Sequence, residues 1–189
     1  MSALAEDCDI LLKNLKLQSL QGDASQADLF KEYFGIFSIQ EGNGVRLNKI
    51  NSPKIDHLTL DFIENPDLAQ TFVVLCVCKG IPFHFKGLHT LKIKETDRIS
   101  ALQNELAKFG ARLAEPIPGE LTWDGTIDKS LVQNPHLINT YHDHRMALAF
   151  APTAMVLNEI AIDDPMVITK SYPAFYEDLK KTGFRIREI

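Results

Sequence analysis

The sequence predicts an α/β fold built from repeated modules, and three observations support this prediction. Segments with helical periodicity alternate with short strand-like segments, and most of the helices run into a glycine. Two of the helices are apolar nearly all round, as expected of helices that are buried on both sides. The same order of helices and strands recurs at a spacing of 73–76 residues, which indicates an internal repeat.

Three of the predicted helices are amphipathic, and each is followed by a glycine suited to a left-handed C-terminal position. These helices and their glycines are 24–34 with Gly35, 97–109 with Gly110, and 173–182 with Gly183. A strand-like segment follows each glycine, at residues 36–39, 111–113 and 184–186.

The two apolar helices are predicted at residues 67–79 and 144–157. Pro66 stands near the start of the first, and Asp143 is a plausible N-cap of the second. Further strands are predicted at residues 82–85, 121–123 and 160–162, and Gly42-Asn43-Gly44 favours a hairpin turn between strands 37–39 and 45–47.

The repeat is defined most clearly by charged residues. Asp67 lies 76 residues before Asp143, and Lys94 lies 76 residues before Lys170. Three amphipathic helices are predicted, but only two apolar helices are predicted as their buried partners. The first module therefore lacks its apolar helix and begins halfway through the repeated unit. We therefore expect residues 1–189 to form a single domain whose first unit is incomplete, within a longer protein.

Composition narrows the class of protein. The formal net charge is −5, which argues against a nucleic-acid-binding surface. No apolar run approaches the roughly 20 residues that span a bilayer, and the start of the chain does not resemble a signal peptide. Cys8, Cys76 and Cys78 cannot all pair within the chain, so we expect reduced thiols and a cytoplasmic location.

The segment Lys94-Glu95-Thr96-Asp97-Arg98 places two cations, two carboxylates and a hydroxyl at a predicted helix N-terminus. Backbone N–H groups and the helix dipole favour an anion there, and Lys94 and Arg98 are positioned to bind it. A carboxylate held among cations can transfer a proton beside that anion. This pattern predicts a catalytic corner for an anionic, phosphorylated substrate.

A second corner is His142-Asp143-His144-Arg145, at the start of the second apolar helix. A metal site is an alternative reading of these residues, but Asp143 serves better as a cap and Arg145 would repel a cation, so we predict no metal. Lys170 and Asp67 are singled out by the repeat. Each also has a simpler reading, as a solvated lysine and as a carboxylate that complements a helix dipole.

These motifs resemble those of the 5-enolpyruvylshikimate-3-phosphate synthase family. The segment from Leu91 to Arg98 resembles the first signature of the family, and the segment from Asp143 to Ala147 resembles the second. Pro66-Asp67 and Lys170-Ser171-Tyr172-Pro173 fall where the family has functional positions, and Gln21-Gly22-Asp23 also fits. The resemblance extends over nearly the whole chain.

The resemblance implies an enolpyruvyl transferase of the shikimate pathway, which makes precursors of aromatic amino acids. Such an enzyme joins phosphoenolpyruvate to the 5-hydroxyl of shikimate 3-phosphate and releases phosphate, without a metal or organic cofactor. The family fold has two domains made of β-α-β-α-β-β units, and about two and a half units of the C-terminal domain are present here. The other domain supplies the opposing wall of the cleft, so we expect the isolated chain to fold but to have little or no activity.

Roles follow by position from the same resemblance. Asp67 is the expected base for the 5-hydroxyl proton, and Glu95 is expected to transfer a proton at the methylene carbon. The expected substrate-binding residues are Lys94, Arg98, His144, Arg145 and Lys170.

Two other functions are compatible with the sequence. A sister enolpyruvyl transferase acts on a UDP-sugar and has the same fold, although the run from Lys94 to Arg98 favours the shikimate enzyme. A non-catalytic anion-binding module is the alternative from a different class.

Overall fold

The structure of the chain is a computed structural model that describes residues 1–18, 26–51, 53–134 and 136–188. The helices are α1 (Gln26–Phe34), α2 (Ala69–Lys79), α3 (Arg98–Ala107), α4 (His144–Phe150), α5 (Ala154–Leu157) and α6 (Phe175–Lys181). The strands are β1 (Asp9–Lys13), β2 (Ile36–Glu41), β3 (Gly44–Lys49), β4 (Leu58–Asp61), β5 (Phe83–Lys86), β6 (Leu121–Trp123), β7 (Leu137–Ile138) and β8 (Ala161–Ile162). Shorter 3₁₀ turns are Pro66–Leu68, His89–Ile93, Ala151–Thr153 and Pro165–Lys170.

The strands of the described residues form three small sheets. The first has the order β1-β3-β2 and is antiparallel throughout. In the second, of order β4-β5-β6, β4 pairs with β5 in parallel and β6 pairs with β5 in antiparallel orientation. The third is the parallel pair β7-β8. This mixture of helices and sheets confirms the predicted α/β class.

Two modules share one order of elements, as the spacing predicts. The first runs β4, α2, β5, a 3₁₀ turn and α3, and the second runs β7, α4–α5, β8, a 3₁₀ turn and α6. Helices α2 and α4 pack against each other. Gln70 and Met146, which are 76 residues apart, are in contact there, with Nε2 lying 3.2 Å from Sδ.

Helix α2 lies at the centre of the main hydrophobic core. Its residues from Ala69 to Val77 are buried apart from Thr71, which explains why its sequence lacks a polar face. The Phe72 ring contacts the rings of Phe30, Phe34 and Phe62. These contacts join α1, α2 and the segment after β4 into one core.

The hairpin prediction is confirmed. Glu41 pairs with Gly44, so Gly42 and Asn43 form a two-residue loop between β2 and β3. Gly42 has φ of +58°, the left-handed conformation that such loops require. The glycines after α1, α2 and α6 also have positive φ.

Two predicted strands are wrong. Residues 111–113 do not form a strand, because Ala111 and Ala114 make single bridges to two different residues, Ile127 and Thr122, and no ladder extends between them. Residues 184–186 also lack strand structure. Among the described residues, β8 pairs with β7 alone and residues 184–186 do not extend this pair.

The predicted helix at residues 144–157 is present but interrupted. It consists of α4, the 3₁₀ turn Ala151–Thr153 and α5. Pro152 lies in that turn and has no N–H for an α-helical hydrogen bond, which explains the interruption. The motif Gln21-Gly22-Asp23 lies outside the described residues.

The three thiols are free, as predicted. Cys8 and Cys76 are buried, and burial raises the pKa of Cys76 well above its usual value and that of Cys78 to about 11. No helix in the described ranges is long and apolar enough to cross a membrane.

Candidate active site

The two charged corners of the sequence meet where several helices begin. Arg98 is the first residue of α3, and Asp67 lies in the 3₁₀ turn that leads into α2. Asp143 is the N-cap of α4, where its carboxylate accepts the backbone N–H of Arg145 at 2.8 Å. Three helix starts therefore direct their N-terminal residues toward one place.

Arg98 occupies the centre of this corner. Its side chain is 2% exposed and is among the largest fully buried side chains of the described residues. Nε donates to Asp143 Oδ2 at 2.6 Å, Nη1 donates to Asp67 Oδ1 at 2.8 Å, and Nη2 donates to Glu95 Oε2 at 2.8 Å. One planar guanidinium therefore fixes three carboxylates in relation to one another.

Local capping holds Arg98 in place. Asp97 is the N-cap of α3, and its carboxylate accepts the backbone N–H of Ser100 at 3.1 Å and the Ser100 hydroxyl at 2.9 Å. This confirms the sequence interpretation of Asp97 as a helix-start residue. The cap sets the direction of the first turn, and with it the direction in which Arg98 leaves the helix.

Three further cations surround the carboxylates and are more accessible than Arg98. Lys94 Nζ lies 3.4 Å from Asp67 Oδ1, and Arg145 Nη2 lies 3.0 Å from Asp67 Oδ2. Lys170 Nζ lies 3.7 Å from Glu95 Oε1. The side chains of these cations are 32%, 28% and 50% exposed, respectively. An incoming anion can reach all three of them from solvent.

The cations determine the charge state of Asp67. Burial by itself would raise the pKa of Asp67, but the positive charges of Arg145, Lys94 and Arg98 outweigh burial and hold the pKa below its usual value. Asp67 is therefore ionised at neutral pH, and its two oxygens are occupied by cations.

Glu95 is held ionised by a different set of contacts. A hydrogen bond from its own backbone N–H lowers its pKa most, and the charges of Arg98 and Lys170 lower it further, against the effect of burial. His144 lies beside it, with Nδ1 at 3.9 Å from Glu95 Oε1. Burial lowers the pKa of His144, so the ring is neutral at pH 7.

The same corner contains a possible set of metal ligands. Glu95, Asp143 and His144 offer ligand atoms that all lie within 4.8 Å of one another. However, Arg98 donates to both carboxylates, and Lys170 is paired with Glu95. A cation bound there would compete with two positively charged side chains, so the donor set does not suit a metal.

All seven residues that the sequence singled out are brought together by these contacts. They are Asp67, Lys94, Glu95, Arg98, His144, Arg145 and Lys170. Their individual roles remain predictions.

Sequence reasoning missed the second role of Asp143. The sequence predicts only a cap at Asp143, yet this side chain is fully buried and forms the ion pair with Arg98. The repeat contained a usable signal, because Asp143 is the counterpart of Asp67. The network below this corner, formed by Glu105 and Tyr141, had no signal in the sequence.

Comparison with known proteins gives a consistent result. Residues 1–179 match the profile of the family described as EPSP synthase (3-phosphoshikimate 1-carboxyvinyltransferase). A protein of that name from Bacteroides fragilis is 45% identical over 187 residues, which are 99% of this chain and 45% of the relative. A relative of the same name from Methanococcus maripaludis is 32% identical over 96% of this chain and 41% of the relative. Another, from Syntrophobacter fumaroxidans, is 31% identical over 92% of this chain and 39% of the relative. The chain thus spans less than half the length of these relatives.

Proposed function

Because this chain belongs to the EPSP synthase family, we propose that it forms one wall of a 3-phosphoshikimate 1-carboxyvinyltransferase site. The reaction transfers the enolpyruvyl group of phosphoenolpyruvate to the 5-hydroxyl of shikimate 3-phosphate and releases phosphate. One observation carries this proposal beyond the family match. Asp67 and Glu95 are held by a single buried guanidinium, that of Arg98, and are flanked by accessible cations.

The accessible cations fit two polyanionic substrates. Both substrates carry a phosphate and a carboxylate, so they repel each other unless positive charge lies between them. Lys94, Arg145 and Lys170 supply that charge from three different segments. His144, next to Glu95, completes the binding set that we propose.

Two carboxylates match the two proton transfers that the chemistry requires. In the addition step, the 5-hydroxyl oxygen bonds to C2 of phosphoenolpyruvate, its proton passes to Asp67, and C3 gains a proton from Glu95, which is ionised in the free chain and must first take up a proton from water. In the elimination step, C3 returns a proton to Glu95, the C2–C3 double bond re-forms, the C–O bond to phosphate breaks, and the phosphate leaves with the proton that Asp67 holds. The two carboxylates therefore need separate positions, which the contacts with Arg98 provide.

The cations on Asp67 suggest how it becomes a base. In the free chain, Lys94 and Arg145 lower the pKa of Asp67 and so weaken its basicity. Substrate anions attract the same two cations. Sharing these cations with the substrate raises the proton affinity of Asp67 at the time when a hydroxyl lies beside it.

The buried position of Arg98 restricts its direct contact with substrate. The resemblance makes it a substrate-binding residue, yet its guanidinium is buried and already donates to three carboxylates. Direct contact requires that one carboxylate, such as that of Glu95, gives up its hydrogen bond. We therefore assign Arg98 first to the positioning of Asp67 and Glu95, and its contact with substrate remains a prediction.

We propose that a second domain provides the opposing wall and that an added strand completes the first unit. Strand β1 is an edge strand whose described partner is β3 alone. By the repeat, β1 corresponds to β5 and β8, each of which pairs in parallel with an earlier strand. A groove of about 490 Å³ lies beside β1 and is lined in part by Ile10 and Leu11. An extended segment pairing in parallel with β1 would cover this groove.

A chimera tests the proposed function. This chain would replace the matching segment of the Bacteroides fragilis relative, and phosphate release would be measured with phosphoenolpyruvate and shikimate 3-phosphate. We expect turnover by the chimera and little or none by the isolated chain. Asp67→Asn and Glu95→Gln should each lower kcat by about 10²–10⁴-fold without loss of folding.

The same assay separates the alternatives. Turnover with a UDP-sugar acceptor and none with shikimate 3-phosphate would assign the chain to the sister transferase. A folded chimera whose activity is unaffected by both substitutions would identify the corner as a non-catalytic anion-binding site.

A further inference from the structure

The segment that carries Asp143, His144 and Arg145 into the corner begins with unusual backbone geometry. Tyr141 and His142, which precede Asp143, have φ of +55° and +57°. Neither residue is glycine, and two consecutive side-chain-bearing residues rarely adopt left-handed conformations. Such geometry persists only where the surroundings fix it, so the contacts of this loop identify what fixes it.

Glu105 of α3 contacts this loop, which comprises residues 139–143, at two places. Its carboxylate is fully buried. Oε1 accepts the Tyr141 hydroxyl at 2.8 Å, and Oε2 accepts the backbone N–H of Asn139 at 3.0 Å. Lys108 Nζ, 2.5 Å from Oε2, balances the buried charge and also donates to the carbonyl of Leu137 at 2.7 Å.

Glu105 and Arg98 act on the same segment from one helix. They are seven residues apart on α3, which places them two turns apart on one face. Arg98 pairs with Asp143 at the end of the loop, and Glu105 holds Tyr141 and Asn139 before it. Helix α3 therefore holds residues 139–143 through two of its side chains, Arg98 and Glu105.

Two further hydrogen bonds hold the backbone of this loop. The backbone N–H of Thr140 donates to Asp163 at 2.6 Å, and the backbone N–H of Asp143 donates to the carbonyl of Thr140 at 2.9 Å. Neither contact restrains the Tyr141 side chain. The Tyr141 hydroxyl donates to Glu105 and also interacts with the side chains of Asn104 and Asn139. Burial and the Glu105 hydrogen bond raise the pKa of the Tyr141 hydroxyl against the lowering effect of the two asparagines.

We propose that Glu105 is a positioning residue for the transferase, and that it acts through Tyr141 to hold the strained loop that aims Asp143, His144 and Arg145 at the corner. Glu105 touches no group that we assign to substrate. The expected effect on enzyme activity rests on the proposed function, whereas the expected effect on the geometry of the loop does not.

The structural test uses the chain itself. Tyr141→Phe removes one hydroxyl and leaves the ring, and Glu105→Gln keeps the size of the side chain. NMR couplings that report φ at residues 141 and 142, and the Nε–H resonance of Arg98, would be compared with wild type. We expect both variants to move these signals, while Ile36→Val, a buried change in β2, leaves them in place. Unchanged signals in Tyr141→Phe would overturn the proposal.

The kinetic test uses the chimera. Tyr141→Phe and Glu105→Gln should each lower kcat by about tenfold to a hundredfold, since small misplacements of catalytic groups have effects of this size. The double variant should be no slower than Glu105→Gln alone, because both changes break one chain of contacts. Additive losses, or losses no larger than that of Ile36→Val, would contradict the proposal. An inactive chimera would count against the proposed function and leave the NMR result as the test of positioning.

Discussion

Arg98 Nε lies 2.6 Å from Asp143 Oδ2, and this ion pair joins α3 of one repeat to the first residues of α4 in the next. The reverse link also exists, because Arg145 at the start of α4 pairs with Asp67 at the start of α2, 3.0 Å away. Each module thus supplies a cation to a carboxylate of the other. The corner consequently forms only when the two modules pack correctly.

Loss of the Arg98 charge should destabilise the fold strongly. Arg98→Met leaves the buried Asp143 carboxylate without its counter-charge, and breaking such pairs costs about 3–5 kcal/mol of the free energy of unfolding. Arg98→Lys should recover part of this loss, because an ammonium group retains the charge but cannot reach three carboxylates at once. Urea unfolding at neutral pH would measure both.

A surface pair offers the control for this experiment. Arg46 pairs with Asp9 and Glu41, and the carboxylates of both partners are well exposed. Arg46→Met should change the free energy of unfolding far less than Arg98→Met does. Equal losses in the two variants would mean that the buried network does not stabilise the fold.

Acid should destabilise the chain through the same carboxylates. The pKa values of Asp67 and Glu95 in the folded state are held below their usual values. Their contribution to stability is therefore complete above the unfolded-state values of about 4 and is lost as pH falls through the lower folded values. His144, whose pKa is also lowered, acts in the same direction from about pH 6.5 downward.

Melting temperatures from about pH 7 to about pH 3 would check this dependence. Glu95→Gln should have a shallower acid limb than wild type, since one of the linked groups is gone. Asp56→Asn, which alters a surface pair with Lys54, should follow the wild-type curve. A Glu95→Gln curve parallel to wild type throughout would contradict the linkage.

Local signals in the sequence predicted much of the fold. The glycines after helices, the hairpin at Gly42-Asn43 and the helix start at Asp97 each depend on a few neighbouring residues, so the sequence predicts them without tertiary information. The repeat then placed Asp67 and Asp143 in equivalent positions. It did not predict that Asp143 would pair with Arg98, because that contact crosses from one module to the other.

The remaining errors also have tertiary causes. Residues 111–113 have strand-like composition but lack a continuous partner, and strand structure depends on pairing. The left-handed Tyr141 is hydrogen-bonded to Glu105, which lies 36 residues before it, and the left-handed His142 contacts Asp164. No local preference of a tyrosine or histidine predicts this geometry. The break in the second buried helix, by contrast, has a local cause, because Pro152 has no N–H for the helical hydrogen bond.

Two glycines with similar backbone geometry should respond differently to substitution. Gly35 and Gly80 have φ of +65° and +66°. A Cβ at Gly35 would lie 2.6 Å from the carbonyl oxygen of Ile50, whereas a Cβ at Gly80 would meet nothing within 4 Å. Gly80→Ala should therefore cost only the left-handed penalty of about 1–2 kcal/mol, and Gly35→Ala clearly more. Similar unfolding free energies for the two variants would show that the backbone at residue 50 relaxes away from the added methyl group.

Anion binding should change the proton affinity of Asp67. Sulfate is a useful probe, because its charge stays constant over the pH range in which a carboxylate titrates. When sulfate attracts Lys94 and Arg145, Asp67 loses part of the positive charge that lowers its pKa. A titration of the Asp67 carboxyl carbon by NMR should therefore give a higher pKa with sulfate than without it.

Because protonation of Asp67 and sulfate binding are linked, the charge of Asp67 must in turn affect the affinity for sulfate. Asp67→Asn removes the carboxylate that competes for Lys94 and Arg145, so it should bind sulfate more tightly than wild type. Asp128→Asn, which alters the surface pair with Arg112, should leave sulfate affinity unchanged. The same Asp67→Asn change should lower kcat of the chimera by about 10²–10⁴-fold, so anion binding and catalysis would move in opposite directions. Weaker sulfate binding by Asp67→Asn would show that Asp67 organises the cations rather than competing with the anion for them.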